Sequence, residues 1–251
     1  MSRTDTIFAE RVYFPGYGGD IVEAYLARPL TEVNVGSVVV IHHMPGFDRS
    51  TKEIVRRFAE MGFNAVMVNL NYREAPGASS EDASAATRAA GGVPDARLIG
   101  DVSAAREFVL MLSNSNGKCG VIGYCSGGRQ SLLSACNIPF NAAVDCYGAF
   151  VVEQPPAQYQ MNVTPISDQL PNLSCSLLGL FGVEDKFPSP DSVALLAKQL
   201  EANGKDFDFH SFDDAGHAFF DPARPSYRVE AATSAWILIE NFFNSKLGSG
   251  F

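Results

Sequence analysis

The amino-acid sequence predicts an α/β fold, a mainly parallel, doubly wound sheet with helices on both faces. Three observations lead there. Apolar strand-like runs alternate with stretches whose apolar residues recur at helical spacing. The run "SVVVIHH" (37–43) is continuously apolar and β-branched before its two histidines, as in a strand covered on both faces. Repeated β–α alternation implies crossover connections and parallel neighbours. No repeat, low-complexity block or linker divides the 251 residues, so residues 1–251 read as one domain.

The elements follow in order. "IVEAYLAR" (21–28) alternates after the turn "GYGGD", as an antiparallel edge strand would. After the strand at 37–43, "STKE" (50–53) has the capping-box pattern and precedes Ile54, Val55, Phe58 and Ala59 on one helical face. "NAVMVNL" (64–70) reads as another buried strand. Residues 71–100, rich in Ala, Gly, Ser and Pro, read as a surface excursion. Asp101 is expected to cap a helix with Val102, Ala105, Val109 and Leu112 in one stripe. Strands are expected at "KCGVIG" (118–123), "NAAVDCYG" (141–148), "CSLLGLFG" (175–182) and "FDFHSF" (207–212). A second excursion covers 149–173. A helix with Val193, Leu196 and Leu200 follows, and a last one carries Val229, Ala232, Trp236, Ile239 and Phe243.

Composition narrows the function classes. A net charge of −9 argues against nucleic acid, which needs a basic face. Five scattered cysteines without metal spacing suggest free thiols in a reducing compartment. No apolar run approaches membrane-spanning length, and "MSRTDTIFAERVYF" lacks a signal-peptide core. The expectation is therefore a cytoplasmic protein, a monomer or small homo-oligomer, acting on a small molecule. The sequons at Asn162 and Asn172 carry little weight in that setting.

In such a sheet, ligands sit beyond the carboxyl ends of the strands. "GYCSGGR" (123–129) places Cys125 between glycines where a strand gives way to a helix. A nucleophile on that sharp turn needs small neighbours, and the amides and dipole of the following helix favour thiolate. Later strand ends deliver Glu184-Asp185 and, in "DDAGH", His217. Nucleophile, acid and histidine thus stand in the chain order Cys125, Asp185, His217 of a hydrolase triad. His217 would act as general base and Asp185 would steady its second ring nitrogen. The backbone N–H groups of Ser126 and Met44 are the oxyanion-hole candidates, since Pro45 has none.

Other readings fare less well. Cys119, Cys136, Cys146 and Cys175 suit small core residues, and His210 lies inside a strand. Adjacent strand residues point to opposite faces, so His42 and His43 chelate poorly, and no HExxH spacing occurs. "GYCSGG" lacks both the G-x-G-x-x-G pattern and a P-loop lysine. No metal or cofactor is expected.

From about residue 20 to 243 the chain resembles the dienelactone hydrolase family of α/β-hydrolases. "GYCSGG", "GVEDKFPSP" (182–190), "DDAGHAF" (213–219), "LNYREAPG" (70–77) and "SNGKCGVIGYC" (115–125) carry the likeness. The resemblance implies the α/β-hydrolase fold, a cofactor-free Cys-Asp-His triad at Cys125, Asp185 and His217, and opening of an enol-lactone. It also implies a glutamate at the end of the early strand, where His43 stands, and arginines for a substrate carboxylate. The stretch after His217 reads Ala218-Phe219-Phe220-Asp221, so Arg224, Arg88 and Arg73 become the candidates. Arg129 is expected on the outer face of the elbow helix. His43 and Tyr124 join the substrate-binding candidates. An esterase or thioesterase with another acyl group, and a non-catalytic binding protein, are the alternative functions.

Overall fold

The computed structural model describes residues 6–159 and 162–248. Residues 160–161 of the second excursion, and 1–5 and 249–251 at the ends, lie outside the described residues. One eight-stranded sheet organises the rest. In chain order the elements are β1 (Ile7–Pro15), β2 (Ile21–Pro29), β3 (Val35–Ile41), α1 (Arg49–Glu60), β4 (Asn64–Val68), α2 (Ser80–Ala89), α3 (Asp95–Leu110) and β5 (Ser115–Tyr124). Then come α4 (Ser126–Asn137), β6 (Ala142–Cys146), β7 (Ser176–Gly182), α5 (Pro190–Ala202), β8 (Phe207–Phe212) and α6 (Val229–Leu247). The strand order is β1-β2-β4-β3-β5-β6-β7-β8. β1, β2 and β4 pair antiparallel, and every later pairing is parallel. No helix among the described residues is long and apolar enough to cross a membrane.

The continuous apolar runs follow from a sheet covered on both sides. Along β3, Val39 and Ile41 face one core while Val38 and Val40 face the other. β4 divides likewise, with Val66 and Val68 against Ala65 and Met67. α3, α4 and α5 cover the first face through residues such as Leu98, Leu132 and Leu196. α1 and α6 cover the second, where Phe58 packs edge-on against Trp236 and Phe243.

Several elements differ from the sequence expectation. β2 is antiparallel but not at the edge, because β1 pairs along its whole length. α1 begins before "STKE": Asp48 is its cap and its carboxylate accepts the Thr51 N–H at 2.8 Å. The excursion at 71–100 contains α2 and the first turn of α3. Asp101 therefore sits mid-helix, fully buried, rather than at a cap. Its carboxylate receives Arg73 at 2.6 and 2.9 Å and the Tyr17 N–H at 2.8 Å, tying β4's exit and the β1–β2 turn to α3. A buried, paired carboxylate looks like a cap in sequence because both need a short acidic side chain.

Asp145, at the end of β6, supports the centre of the sheet. It is fully buried, and one of its oxygens accepts the Gly148 N–H at 2.8 Å while the other has no partner among the described residues. Burial, only partly offset by that bond, pushes its pKa up to about 7 from 3.8. The folded-state pKa lies above the unfolded one, so stability is highest below pH ~4 for this group and declines as pH rises through about 7. The full swing is about 4 kcal/mol. Urea midpoints at pH 5 and pH 8 should therefore differ more for the native protein than for Asp145→Asn, whose amide cannot ionise. An unchanged pH slope in the variant would contradict this account.

Candidate active site

Cys125 joins β5 to α4 with φ 58° and ψ −120°, a backbone conformation that costs of order 1–3 kcal/mol in a non-glycine residue. Its own N–H donates to the Cys146 carbonyl at 3.0 Å, pinning the turn to β6. The flanking glycines are sterically required. A Cβ on Gly123 would lie 1.8 Å from the Gly127 carbonyl oxygen, and one on Gly127 would lie 2.5 Å from that of Ile41. The tight bend leaves Cys125 half-buried at the start of α4, while Cys119 and Cys146 are wholly enclosed.

The structure brings Cys125, Asp185 and His217 together from three strand ends. His217 Nε2 lies 3.0 Å from Cys125 Sγ, and His217 Nδ1 lies 2.8 Å from Asp185 Oδ2. The second oxygen of Asp185 accepts the Phe187 N–H at 2.9 Å, so the buried carboxylate cannot swing away. Glu184, its neighbour, is exposed and lines the cavity beside Cys125 without a bond to His217 among those described. Burial works against charge on His217, but the bonds to Asp185 and Cys125 outweigh it and push its pKa up to about 10. Tyr147, at the end of β6, sets its ring edge against the imidazole at 5.2 Å. Sequence reasoning passed over Tyr147, although the rule of looking beyond strand ends applied to β6 as well.

A second set of residues shapes the opposite lip. His42 Nε2 accepts the Leu70 N–H at 3.2 Å, so its proton sits on Nδ1, which donates to the His43 carbonyl at 2.8 Å. Complete burial drives its pKa down to about 4 and keeps it neutral. His43 turns its Nε2 to Asp48 at 3.1 Å, with Asp221 at 4.0 Å. Burial raises the pKa of Asp48, but the bonds from His43 and Thr51 overcome that and hold the carboxyl below the usual range. Arg224 bonds Asp221 at 3.0 Å and reaches the Met44 carbonyl at 2.9 Å.

Cys125 borders two spaces. A cavity of about 470 Å³ is lined by Ser126, Arg129, Phe150, Lys186 and Phe187 beside Cys125 and His217. On the other side, a recess of about 30 Å³ is lined by His43, Met44, Tyr147, Ala218, Asp221 and Arg224. Among the described residues, no group of three or more His, Cys, Asp or Glu could hold a metal ion.

Residues 22–247 match the model of the dienelactone hydrolase family. The chain belongs to the dienelactone hydrolase family. A provisionally named carboxymethylenebutenolidase of Methylorubrum extorquens is 28% identical over 240 residues, 94% of this chain and 81% of that protein. A Bradyrhizobium protein provisionally named 2-oxo-3-(5-oxofuran-2-ylidene)propanoate lactonase is 29% identical, over 93% and 92%. The crystal structure of a provisionally named dienelactone hydrolase from Klebsiella pneumoniae subsp. pneumoniae MGH 78578 superposes with a TM-score of 0.84 at 25% identity, covering 95% of this chain and 99% of that one. This dienelactone hydrolase family member has the α/β-hydrolase fold and is a hydrolase acting on ester bonds.

Within this family member, the arginines fall differently from the sequence expectation. Arg73 is committed to Asp101 and Asp20. Arg88 is exposed near the end of α2 and lines neither space beside Cys125. Arg224 borders the recess, but its guanidinium is bound to Asp221 and to the Met44 carbonyl. Arg129, expected on an outer face, is instead 5% exposed and lines the larger cavity. α4 has no outer face: Arg129 is held by Asp95 at 3.2 and 3.0 Å and by the Thr164 carbonyl, both from covering segments. Tyr124 is buried on the α6 side of the sheet and lines neither space beside Cys125.

The elbow's steric requirement is directly testable. Gly127→Ala drives a methyl group into the Ile41 carbonyl, so it should lower stability by about 2–3 kcal/mol in urea unfolding. Gly216→Ala, whose Cβ would meet nothing nearer than 3.8 Å, should stay within about 0.5 kcal/mol of the native protein. Equal losses in the two variants would show that the elbow is not closed as described.

Proposed function

We propose that this protein hydrolyses a small lactone or activated ester by covalent catalysis on Cys125. The observation that carries this reading is the run of contacts Sγ to Nε2 and Nδ1 to carboxylate, opening on a cavity of about 470 Å³. With a pKa of about 10, His217 holds a proton at neutral pH, and its Nε2 faces Cys125 Sγ at 3.0 Å. The thiolate attacks the carbonyl carbon, and the carbonyl π electrons move to oxygen. The Ser126 and Met44 N–H groups are the donors for that oxyanion. Collapse expels the leaving oxygen, which takes the proton from His217. The neutral imidazole then deprotonates water, which attacks the thioester, and sulfur departs as the thiolate.

A thiolate leaves a tetrahedral intermediate more readily than an ordinary alkoxide, so simple esters revert to starting material. An enolate or another acidic leaving group competes with it. Activated esters and enol-lactones are the favoured substrates, and the lactone names of the relatives point the same way. An esterase with a different, apolar acyl group is the second reading. It is favoured by the walls Ala149, Phe150, Val163 and Phe187, and by the engagement of Arg73 and Arg224 elsewhere. The substrate is a small molecule in either case.

Three measurements bear on the reading. Intact-mass analysis after mixing with enol-lactones and aryl esters should trap a single acyl group on Cys125, and Cys125→Ala should lose hydrolysis entirely. A fully active Cys125→Ala protein would end the proposal. At pH 7, iodoacetamide should label Cys125 quickly. Cys119 and Cys136, whose pKa values burial pushes up to about 12, should label slowly. In His217→Ala the labelling of Cys125 at pH 7 should slow, because the imidazole beside the sulfur is gone. Arg224→Met should lower kcat about 10–100-fold with KM little changed, because the Met44 peptide loses its strap. A change in KM alone would mark Arg224 as a substrate contact instead.

A further inference from the structure

Tyr147 takes no part in the triad, yet its backbone is held in an unfavourable shape beside it. Its φ of 44° is left-handed, a conformation that a bulky residue keeps only where its surroundings over-determine it. The Tyr147 N–H donates to the Leu180 carbonyl at 2.9 Å, and the next N–H, of Gly148, donates to Asp145 at 2.8 Å. β7 and the end of β6 therefore fix the turn. The ring is 2% exposed and stands edge-on to His217 at 5.2 Å and to Phe219 at 5.3 Å. Backbone outliers of this kind gather where a side chain has a fixed task.

Tyr147 lines the recess of about 30 Å³, together with Cys125, His217 and Asp221. That volume has room for one or two water molecules, and a water held there needs polar partners. Most of the polar wall is already engaged. Asp221 accepts from Ser50, the Ala223 N–H and Arg224, Arg224 also holds the Met44 carbonyl, and His43 Nε2 is bonded to Asp48. The Tyr147 hydroxyl is bonded by no described residue, and unlike that of Tyr124 it is not sealed in. Burial first, then Cys146, Tyr124, Cys125 and Asp221 around it, push its pKa well above the ordinary phenol value, so it stays a neutral hydroxyl. Two of those groups, Cys125 and Asp221, are recess walls as well.

We propose that this recess binds the water that hydrolyses the acyl-enzyme, and that the Tyr147 hydroxyl accepts one of its O–H bonds. The inference rests on the covalent reading of Cys125. With the acyl group in the cavity of about 470 Å³, water reaches the thioester carbon from the opposite side. His217 Nε2 takes one proton of that water. Tyr147 holds the other O–H without removing it, which turns an oxygen lone pair toward the carbon. The C–O bond forms as the carbonyl π electrons move to oxygen. Their return breaks the C–S bond, and the acid leaves while sulfur keeps the electron pair.

Tyr147→Phe keeps the ring contacts and removes only the oxygen. Rapid-quench measurements with p-nitrophenyl acetate read both halves of the turnover, nitrophenolate release for acylation and the intact mass of acetylated Cys125 for its loss. In Tyr147→Phe acylation should stay within about two-fold of the native rate, while loss of the acetyl group should slow about five- to ten-fold, the ordinary worth of one hydrogen bond. Hydroxylamine attacks a thioester without help from a base, so it should clear the acetyl group from both proteins at one rate. Deacylation at the native rate in Tyr147→Phe would overturn the water site alone, because the acyl-enzyme would still form. Equal slowing of both half-reactions, or slowed release by hydroxylamine, would also overturn it and mark the ring as packing. A native protein that never acetylates Cys125 would instead remove the catalytic reading, and this inference with it.

Discussion

The site depends on one backbone constraint: the peptide at Cys125 must hold a left-handed conformation while α4 starts almost in contact with the end of β3. The approach is measured by the Cβ that Gly127 lacks, which would sit within 2.9 Å of the Ile41 and His42 carbonyl oxygens. Such a turn is unfavourable alone and persists because its surroundings over-determine it. β5 is held on one side by β3 and on the other by β6, and the Cys125 N–H bonds the last residue of β6. The sheet therefore supplies the energy that the turn stores.

Several of the charged groups around that turn are held by specific partners. Asp185 is buried with both oxygens bound, one to His217 and one to a backbone amide. Asp48 caps α1 and holds His43, which links the end of β3 to the helix that follows. Arg224 and Asp221 bring the loop after β8 onto the loop after β3, with Ser50 also reaching Asp221 at 3.2 Å. The segments carrying His217 and Met44 are thus positioned as one unit. Asp145 is the exception, a buried carboxylate with one amide donor, and it relieves the strain by raising its own pKa.

How much of this could be read from the sequence depended on the range of the forces involved. The elbow was legible because the turn itself forces glycine at 123, whose Cβ would strike the Gly127 carbonyl four residues on, while glycine at 127 answers to the distant Ile41 carbonyl. The order of Cys125, Asp185 and His217 was legible because parallel strands deliver all their ends to one rim. β3, β4 and α6 announced themselves through continuous or periodic apolarity. Long-range pairing left no such mark. Arg129 looked like a surface residue because nothing local reveals that Asp95 and Thr164 will close over it. Asp101 looked like a cap for the same reason: a short carboxylate suits a cap or a buried ion pair equally, and only the partner decides.

Where the family resemblance implies a glutamate near the resting thiol, this chain has His43, and the difference changes the electrostatics of the recess. A carboxylate there would be a second anion facing sulfur, and two anions at close range in a partly buried site resist joint ionisation. His43 already spends its Nε2 on Asp48, and Asp221, the acid it also approaches, is itself neutralised by Arg224. Asp48 and Asp221 are therefore each engaged by a partner within this lip. The side chain that meets the thiol is His217, steadied by Asp185. Under the proposed mechanism that arrangement suits a nucleophile held ready between turnovers, rather than one that substrate must first release from a neighbouring acid.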